Sequence, residues 1–381
     1  MVGTRVAILT QPLGHNYGGL LQAYALQAYL KKLGCEVETL DRRKPGAGQV
    51  SAKGHILNLA RLMLGLSKSM PTAKKQAQVL EKLACFRDRW ITMSPRITGE
   101  QALREYYRDR KFDAFVVGSD QVWRPRYSPS ILNFFLDFLD DIKSPAKRVA
   151  YAASFGVDGW EYSSRLTKKC EILAQKFNVI SVRESSAVDL CNEKLGVLAE
   201  CVVDPTLLLE PADYEPLISE CGENVNADCT LSYLLDPAQE KRSIAENVSS
   251  SLGIKLFSIM PEVSVAQVRT NDLDRCRLAS VELWLQAFWD ASFVVTDSFH
   301  GTVFSILFNK PFIAVGNSAR GLARFESLLS QFGLTERLVD SPSEVTRDLI
   351  QRNIDWGAVN VRRKALADVG RQFLITHLSD E

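Results

Sequence analysis

The residues best suited to chemistry are gathered in Thr296-Asp297-Ser298-Phe299-His300-Gly301-Thr302, between the apolar runs 293–296 and 303–308. Imidazole gives and takes protons near neutral pH, so His300 is the first candidate for acid–base work. Ser298 offers a hydroxyl. Gly301 and Thr302, at the start of the helix expected over 303–308, offer backbone N–H groups to an anion. Four further clusters accompany this one. His15-Asn16-Tyr17-Gly18-Gly19 is a glycine-containing turn that permits close backbone approach. It lacks the GxGxxG spacing and the phosphate lysine of the nucleotide-binding loops. Gly118-Ser119-Asp120-Gln121-Val122-Trp123 combines hydroxyl, carboxylate, amide and indole, a set suited to a sugar, although Ser119 or Asp120 could equally be a helix cap. Arg183, before Glu184, is placed to clamp a carboxylate or phosphate, or to pair with Glu184 or Asp189. Arg320 and Arg324, four apart in a Gly-rich stretch, suit a phosphate or ordinary ion pairing.

Each cluster follows a short apolar run that reads as a strand. Residues 6–9 precede the first turn, and a helical pattern over 20–33 follows it, ending at Gly34. Strands are expected at 37–41, 112–117, 149–154 and 179–182. After Cys201-Val202-Val203-Asp204-Pro205-Thr206 the pattern restarts, with strands at 230–235, 254–258, 293–296 and 312–315 and helices at 242–252 and 281–291. Residues 343–380 are helical and amphipathic. Strand–loop–helix–strand units imply parallel sheets, in which ligands bind at the C-terminal edge. The fold class expected is therefore α/β: two Rossmann-like domains facing a cleft, residues 1–203 and 204–345, with a tail at 346–381 packing back toward the first.

The chain of 381 residues has 46 Lys+Arg and 45 Asp+Glu, so no whole-molecule field attracts nucleic acid. The eight cysteines form no CxxC pair or zinc spacing, as fits buried thiols in a reducing cytoplasm. No secretory signal and no apolar run of about 18 residues is evident. An apolar helix at 56–66 fits packing on its own domain better than peripheral contact with the inner membrane face. No HExxH, GxSxG or paired-carboxylate metal spacing occurs, so no metal is expected.

Taken in order, Asn16-Tyr17-Gly18-Gly19 with Leu21-Gln22-Ala23-Tyr24-Ala25-Leu26, the 118–123 stretch, Arg183-Glu184, Asp204-Pro205, and His300-Gly301 ahead of Asn309-Lys310-Pro311 resemble the polysaccharide pyruvyl transferase family over residues 5–335. The resemblance implies an architecture similar to GT-B glycosyltransferases. It implies phosphoenolpyruvate as donor, a lipid-linked or polymeric saccharide as acceptor, and a pyruvate ketal as product. By position, Arg183, Ser298, His300, Gly301, Thr302, Arg320 and Arg324 would form the donor site, with His300 and Arg183 catalytic. His15, Asn16, Tyr17, Gly18, Asp120, Gln121 and Trp123 would face the acceptor. Many members carry an arginine two residues before the histidine, where this chain has Ser298, so Arg183, Arg320, Arg324 or backbone amides would meet the donor carboxylate instead. The competing readings are a GT-B glycosyltransferase using a nucleotide-sugar and a non-catalytic sugar-binding protein.

Overall fold

A computed structural model describes residues 3–44, 72–222, 228–236, 238–261, 263, 265–268, 270–316 and 321–379. The helix expected at 56–66 and Arg320 lie outside the described residues.

Two all-parallel sheets form the frame. The first comprises β1 (Arg5–Leu9), β2 (Glu36–Thr39), β3 (Ala114–Val117), β4 (Lys147–Ala153), β5 (Val179–Val182) and β6 (Glu200–Cys201), in the order β2-β1-β3-β4-β5-β6. The second comprises β7 (Cys229–Tyr233), β8 (Lys255–Ser258), β9 (Phe293–Thr296), β10 (Phe312–Val315) and β11 (Leu338–Val339), in the order β8-β7-β9-β10-β11. The central strands are unbroken apolar runs such as AFVV, FVVT and FIAV, with every residue buried. Such runs belong to sheets covered on both faces. The register aligns the strand ends: Leu9 pairs with Val117, Ala153 with Val182, and Thr296 with both Tyr233 and Ala314. The loops leaving each sheet therefore share one edge.

Two helices join the halves. α1 (Tyr17–Lys32) is capped by Asn16, whose side chain accepts from Gly18 N, and ends in Lys31 and Lys32, which suit the negative end of the helix dipole. Twelve of its 16 residues are buried, which a helix with one outer face to solvent would not allow. Tyr17 explains this. Its ring stacks on Trp284 at 5.7 Å and meets Tyr233 edge-on at 6.0 Å, both in the second half. The second joining helix lies between β9 and β10 and spans Phe299–Leu307, with all nine residues buried. It begins earlier than its apolar run suggested, because Ser298 serves as N-cap. His300 thus sits in the first helical turn and is buried, not in an exposed turn ahead of the helix.

The final helix, Trp356–Leu378, returns to the first half. Arg363 donates to Glu210 at 2.7 Å, and Arg371 donates to Leu208 O at 2.7 Å and to Glu210 at 3.0 Å. Phe373 packs on Tyr151 of β4, ring centroids 6.0 Å apart. Leu208 and Glu210, in the segment that leaves the first sheet, are thereby clamped by the tail.

Candidate functional site

The facing edges of the two sheets enclose a cleft of about 400 Å³. From the first half it is lined by Gln11, Asn16, Asp120, Gln121 and Tyr127, and from the second by Asp297, Ser298, Phe299, His300 and Arg324.

The first-half loops are locked together by a buried polar knot. Gln22, on α1, donates to Thr10 Oγ1 at 2.8 Å and accepts from Ser119 N and Oγ at 3.1 and 2.7 Å. Thr10 donates in turn to Ser119 O at 3.1 Å. A buried network with its members satisfied is rigid, and it fixes Asp120, which adopts a left-handed φ of 66°.

Asp204 is the hub. Its carboxylate is fully buried, and Oδ2 lies 2.6 Å from Arg183 Nη1 and 3.5 Å from His300 Nε2. Oδ1 accepts from Thr206 N at 3.1 Å and from its hydroxyl at 2.8 Å. Burial alone would raise the Asp204 carboxyl, but the His300 imidazole and the Arg183 guanidinium beside it hold it well below the usual carboxylate range. Asp204 therefore stays ionised through neutral pH. It can orient the His300 ring through the Nε2 edge, as a carboxylate orients a catalytic imidazole. The contact is an ion-pair distance without hydrogen-bond geometry, and His300 Nε2 has no hydrogen-bond partner among the described residues. On its Nδ1 side the ring lies against α1: a Cβ built on Gly18 would fall 2.0 Å from Nδ1. Glycine at position 18 is thus a requirement of close approach across the two halves.

Arg183 is not an open clamp. Its side chain is 2% exposed, held by Asp204 and by Asp120 at 3.3 Å, and its guanidinium carbon lies 4.3 Å from the centre of the Phe299 ring. Arg324, also buried, lies 5.7 Å from the same ring and lines the cleft. Burial, then the neighbouring Arg183, pulls the Arg324 guanidinium down to about 10. Glu184 lies behind, accepting from Ser154 Oγ at 2.7 Å and Gly156 N at 3.1 Å. It partners neither arginine by hydrogen bond, and Arg183 turns inward to Asp204 and Asp120 instead of pairing with Glu184 or Asp189.

Several other expected residues lie elsewhere. Trp123 is buried under the loops, stacked on Phe135 at 5.0 Å with Nε1 donating to Phe134 O at 2.9 Å, so it offers no face to a sugar. Tyr17 is interior, its hydroxyl donating to Ala279 O at 2.9 Å. Gly301 and Thr302 do not present their N–H groups to the cleft: they donate to Ser298 Oγ at 3.3 Å and Ser298 O at 3.0 Å. Phe299 and His300, also in the first turn, are both lining residues of the cleft. His15 is exposed outside the lining, and loss of hydration, then Arg43 and Arg87, lower its pKa. Asn16, Asp120, Gln121, Ser298, His300 and Arg324 do come together, and Arg183 stands behind them, joined to His300 through Asp204.

Sequence reasoning placed Asp204 at the boundary where the strand pattern restarts and among the residues of the family resemblance, but gave it no role in the site. The missed signal was that Asp204, like Arg183, lies just beyond a strand of the same sheet edge. Tyr127 was also missed. It is 40% exposed at the cleft, with the guanidinium carbons of Arg124 and Arg126 at 5.1 and 5.3 Å from its ring centre.

The profile of the polysaccharide pyruvyl transferases matches residues 16–319, which includes every residue of this hub. The chain belongs to the polysaccharide pyruvyl transferase family. It is therefore a transferase, and the family implies a polysaccharide acceptor. No curated protein sequence matches it significantly. Among solved structures, the chain is similar to Arabidopsis thaliana UGT89C1 complexed with UDP, at 9% identity over 99% of both chains and a TM-score of 0.53. A putative UDP-N-acetylglucosamine 2-epimerase from Listeria monocytogenes aligns at 11% identity over 100% of this chain and 99% of the other, with a TM-score of 0.48. The first of these likenesses concerns fold: this pyruvyl transferase family member has the two Rossmann-like domains of GT-B glycosyltransferases facing a cleft.

Proposed function

We propose that this protein transfers pyruvate from phosphoenolpyruvate to a saccharide destined for a surface polysaccharide, forming a pyruvate ketal and releasing phosphate. The observation that carries the reading is the meeting of His300, buried Asp204 and Arg324 at the joint of the two halves, with His300 and Asp204 inside the span of the family match and Arg324 just beyond it. One sugar hydroxyl adds to C2 of the donor while a proton reaches its methylene, turning CH₂ into CH₃. The C2–O bond to phosphate then breaks, and a second hydroxyl closes the ketal. Of the two hydroxyl protons, one ends on the methyl group and one on phosphate. His300 delivers the first proton, with Asp204 holding its ring. Arg324 and the amides of Phe299 and His300 receive the donor's anionic groups. A buried guanidinium beside a second cation gains most from an incoming anion. Arg324 thereby occupies the role that an arginine at position 298 has in other members, while Ser298 caps the helix.

Arg183 acts through Asp204 and is a positioning residue. Asn16, Asp120, Gln121 and Tyr127 face the acceptor. We assign residues 1–203 to the acceptor side, 204–345 to the donor side and 346–381 to the tail, and we place the protein in the cytoplasm, with no cofactor beyond the co-substrate. The test is incubation with phosphoenolpyruvate and a panel of lipid-linked and polymeric saccharides. Phosphate release with a product heavier by one pyruvate less one water is expected. Nucleoside diphosphate release from a nucleotide-sugar, with phosphoenolpyruvate inert, would overturn the reading.

A further inference from the structure

The helix Ala323–Phe332 carries Arg324 and belongs to the second half by sequence, yet several of its side chains reach the first. Ser327 Oγ, about one turn beyond Arg324, accepts from Ser185 N at 3.1 Å. A further turn along, Gln331 Nε2 donates to Cys201 Sγ of β6 at 3.6 Å. Residues 324, 327 and 331 have the spacing that shares one helix face. Ahead of the helix, Gly321 has a left-handed φ of 93°, and a Cβ built there would fall 1.9 Å from Gly156 O in the first half. The charged neighbours of Arg324 include Arg183, Asp120, Glu184 and Arg124, all in the first half. A donor-side guanidinium is thus held by acceptor-side elements.

The bond from Ser185 serves as a helix cap supplied across the joint. A helix leaves its first N–H groups unpaired, and the residue just before it commonly offers a side chain to one of them. The helix Ser185–Leu195 has Glu184 in that place, but Glu184 makes no cap bond. Its carboxylate is taken by Ser154 Oγ and Gly156 N instead. Ser327 meets the need from the other half. The bond also ties together the two arginine-bearing segments, since Arg183 lies two residues before Ser185 and Arg324 three before Ser327. Like charge pushes the two guanidinium groups apart, and this link opposes that push.

We infer that Ser327 is a positioning residue for the donor: it caps the helix Ser185–Leu195 across the joint and so holds Arg324 at its working distance from Arg183. The donor pocket is then completed by the first half, although its arginine comes from the second. The inference rests on the pyruvyl-transfer reading for the identity of the donor, whereas the joint itself bears on any anion received by Arg324.

The test is calorimetric titration of the full chain with phosphoenolpyruvate and with inorganic phosphate. Ser327→Ala removes the acceptor of the bond, and Ser185→Pro removes its donor. Proline suits the first position of a helix, and Glu184 ahead of it has φ −113° and ψ 144°, the extended backbone that a following proline requires. Both variants should fold, and circular dichroism checks that. Each should weaken phosphoenolpyruvate on the order of 5-fold, the worth of one hydrogen bond. The double variant should be no weaker than either single one, because a single bond is lost only once. In turnover, KM for phosphoenolpyruvate should rise while KM for the acceptor stays. Ser330→Ala makes the same change on the exposed side of the helix and should alter neither affinity. A Ser327→Ala variant that binds both anions as wild type does would overturn the inference. So would losses that multiply in the double variant, or a wild-type chain that binds neither anion. Should phosphate show the expected pattern while phosphoenolpyruvate neither binds nor yields phosphate with any acceptor, the positioning role stands and the pyruvyl-transfer reading falls.

Discussion

Asp204→Asn tests the hub directly, since it keeps the side-chain shape and removes the charge. Arg183 is 2% exposed and Asp204 0% exposed, so solvent screens their 2.6 Å contact little. Removing one partner of such a pair costs about 3–5 kcal/mol, because the other charge stays buried. Asp120 remains 3.3 Å from the other Arg183 nitrogen, which places the expected loss near the lower end, about 3 kcal/mol. For a slope of about 3 kcal/mol/M, the urea midpoint would fall by about 1 M. The pH dependence follows from the direction of the shift. Asp204 has a folded pKa below its unfolded value, so between the two the unfolded chain binds more protons and stability rises with pH. The stabilisation is complete above roughly pH 4 and is lost as pH falls further. The gap between wild type and Asp204→Asn should accordingly be widest at neutral pH and shrink in acid. In turnover the variant should lose on the order of 10²–10⁴ in kcat, because the amide presents the wrong group to His300. A variant that melts within about 1 kcal/mol of wild type and keeps its kcat would refute the hub, leaving Asp204 as a cap for Thr206 alone.

His300→Asn should fold and lose on the order of 10²–10⁴ in kcat with phosphoenolpyruvate; near-full turnover would make His300 a positioning group. Gly18→Ala drives a methyl into the imidazole edge and should cost about 1–3 kcal/mol together with most of kcat, so unchanged turnover would show that the ring approaches substrate from another side. Trp123→Phe should cost about 1–3 kcal/mol through the lost bond to Phe134 O and its packing while leaving the acceptor KM alone; a raised KM would return Trp123 to the sugar site. Burial pushes the Cys170 and Cys191 thiols up to about 12. A thiol reagent at neutral pH should therefore label exposed Cys85 first and reach those two only on unfolding, as mass spectrometry of the labelled peptides would report.

The strands were legible because parallel strands buried on both faces are unbroken apolar runs, and Phe293–Thr296 and Phe312–Val315 read the same in sequence and structure. The edge carrying the chemistry was legible too, since Asn16, Asp120 and His300 each follow such a run. Depth was not. Trp123 and Tyr17 have the right residue types at that edge, but both are drawn inward by aromatic neighbours distant in the chain. Arg183 looked like a clamp because its two carboxylates lie 63 and 21 residues away, beyond any local pattern. The early start of the helix at Phe299 was hidden because Ser298 reads as a loop residue until its hydroxyl is seen accepting from Gly301 N.

The clamp of the final helix on residues 208–210 has a consequence in time. A ribosome makes Asp204 more than 150 residues before Arg363 and Arg371, whose side chains hold the neighbouring Leu208 and Glu210. His300 also emerges later than the carboxylate that orients it. Domains fold largely as they emerge, N-terminal first, so the first sheet can form while this crossing segment is still untethered. The reactive arrangement is thus scheduled for the end of synthesis, and a growing chain holds a folded scaffold before it holds a working centre.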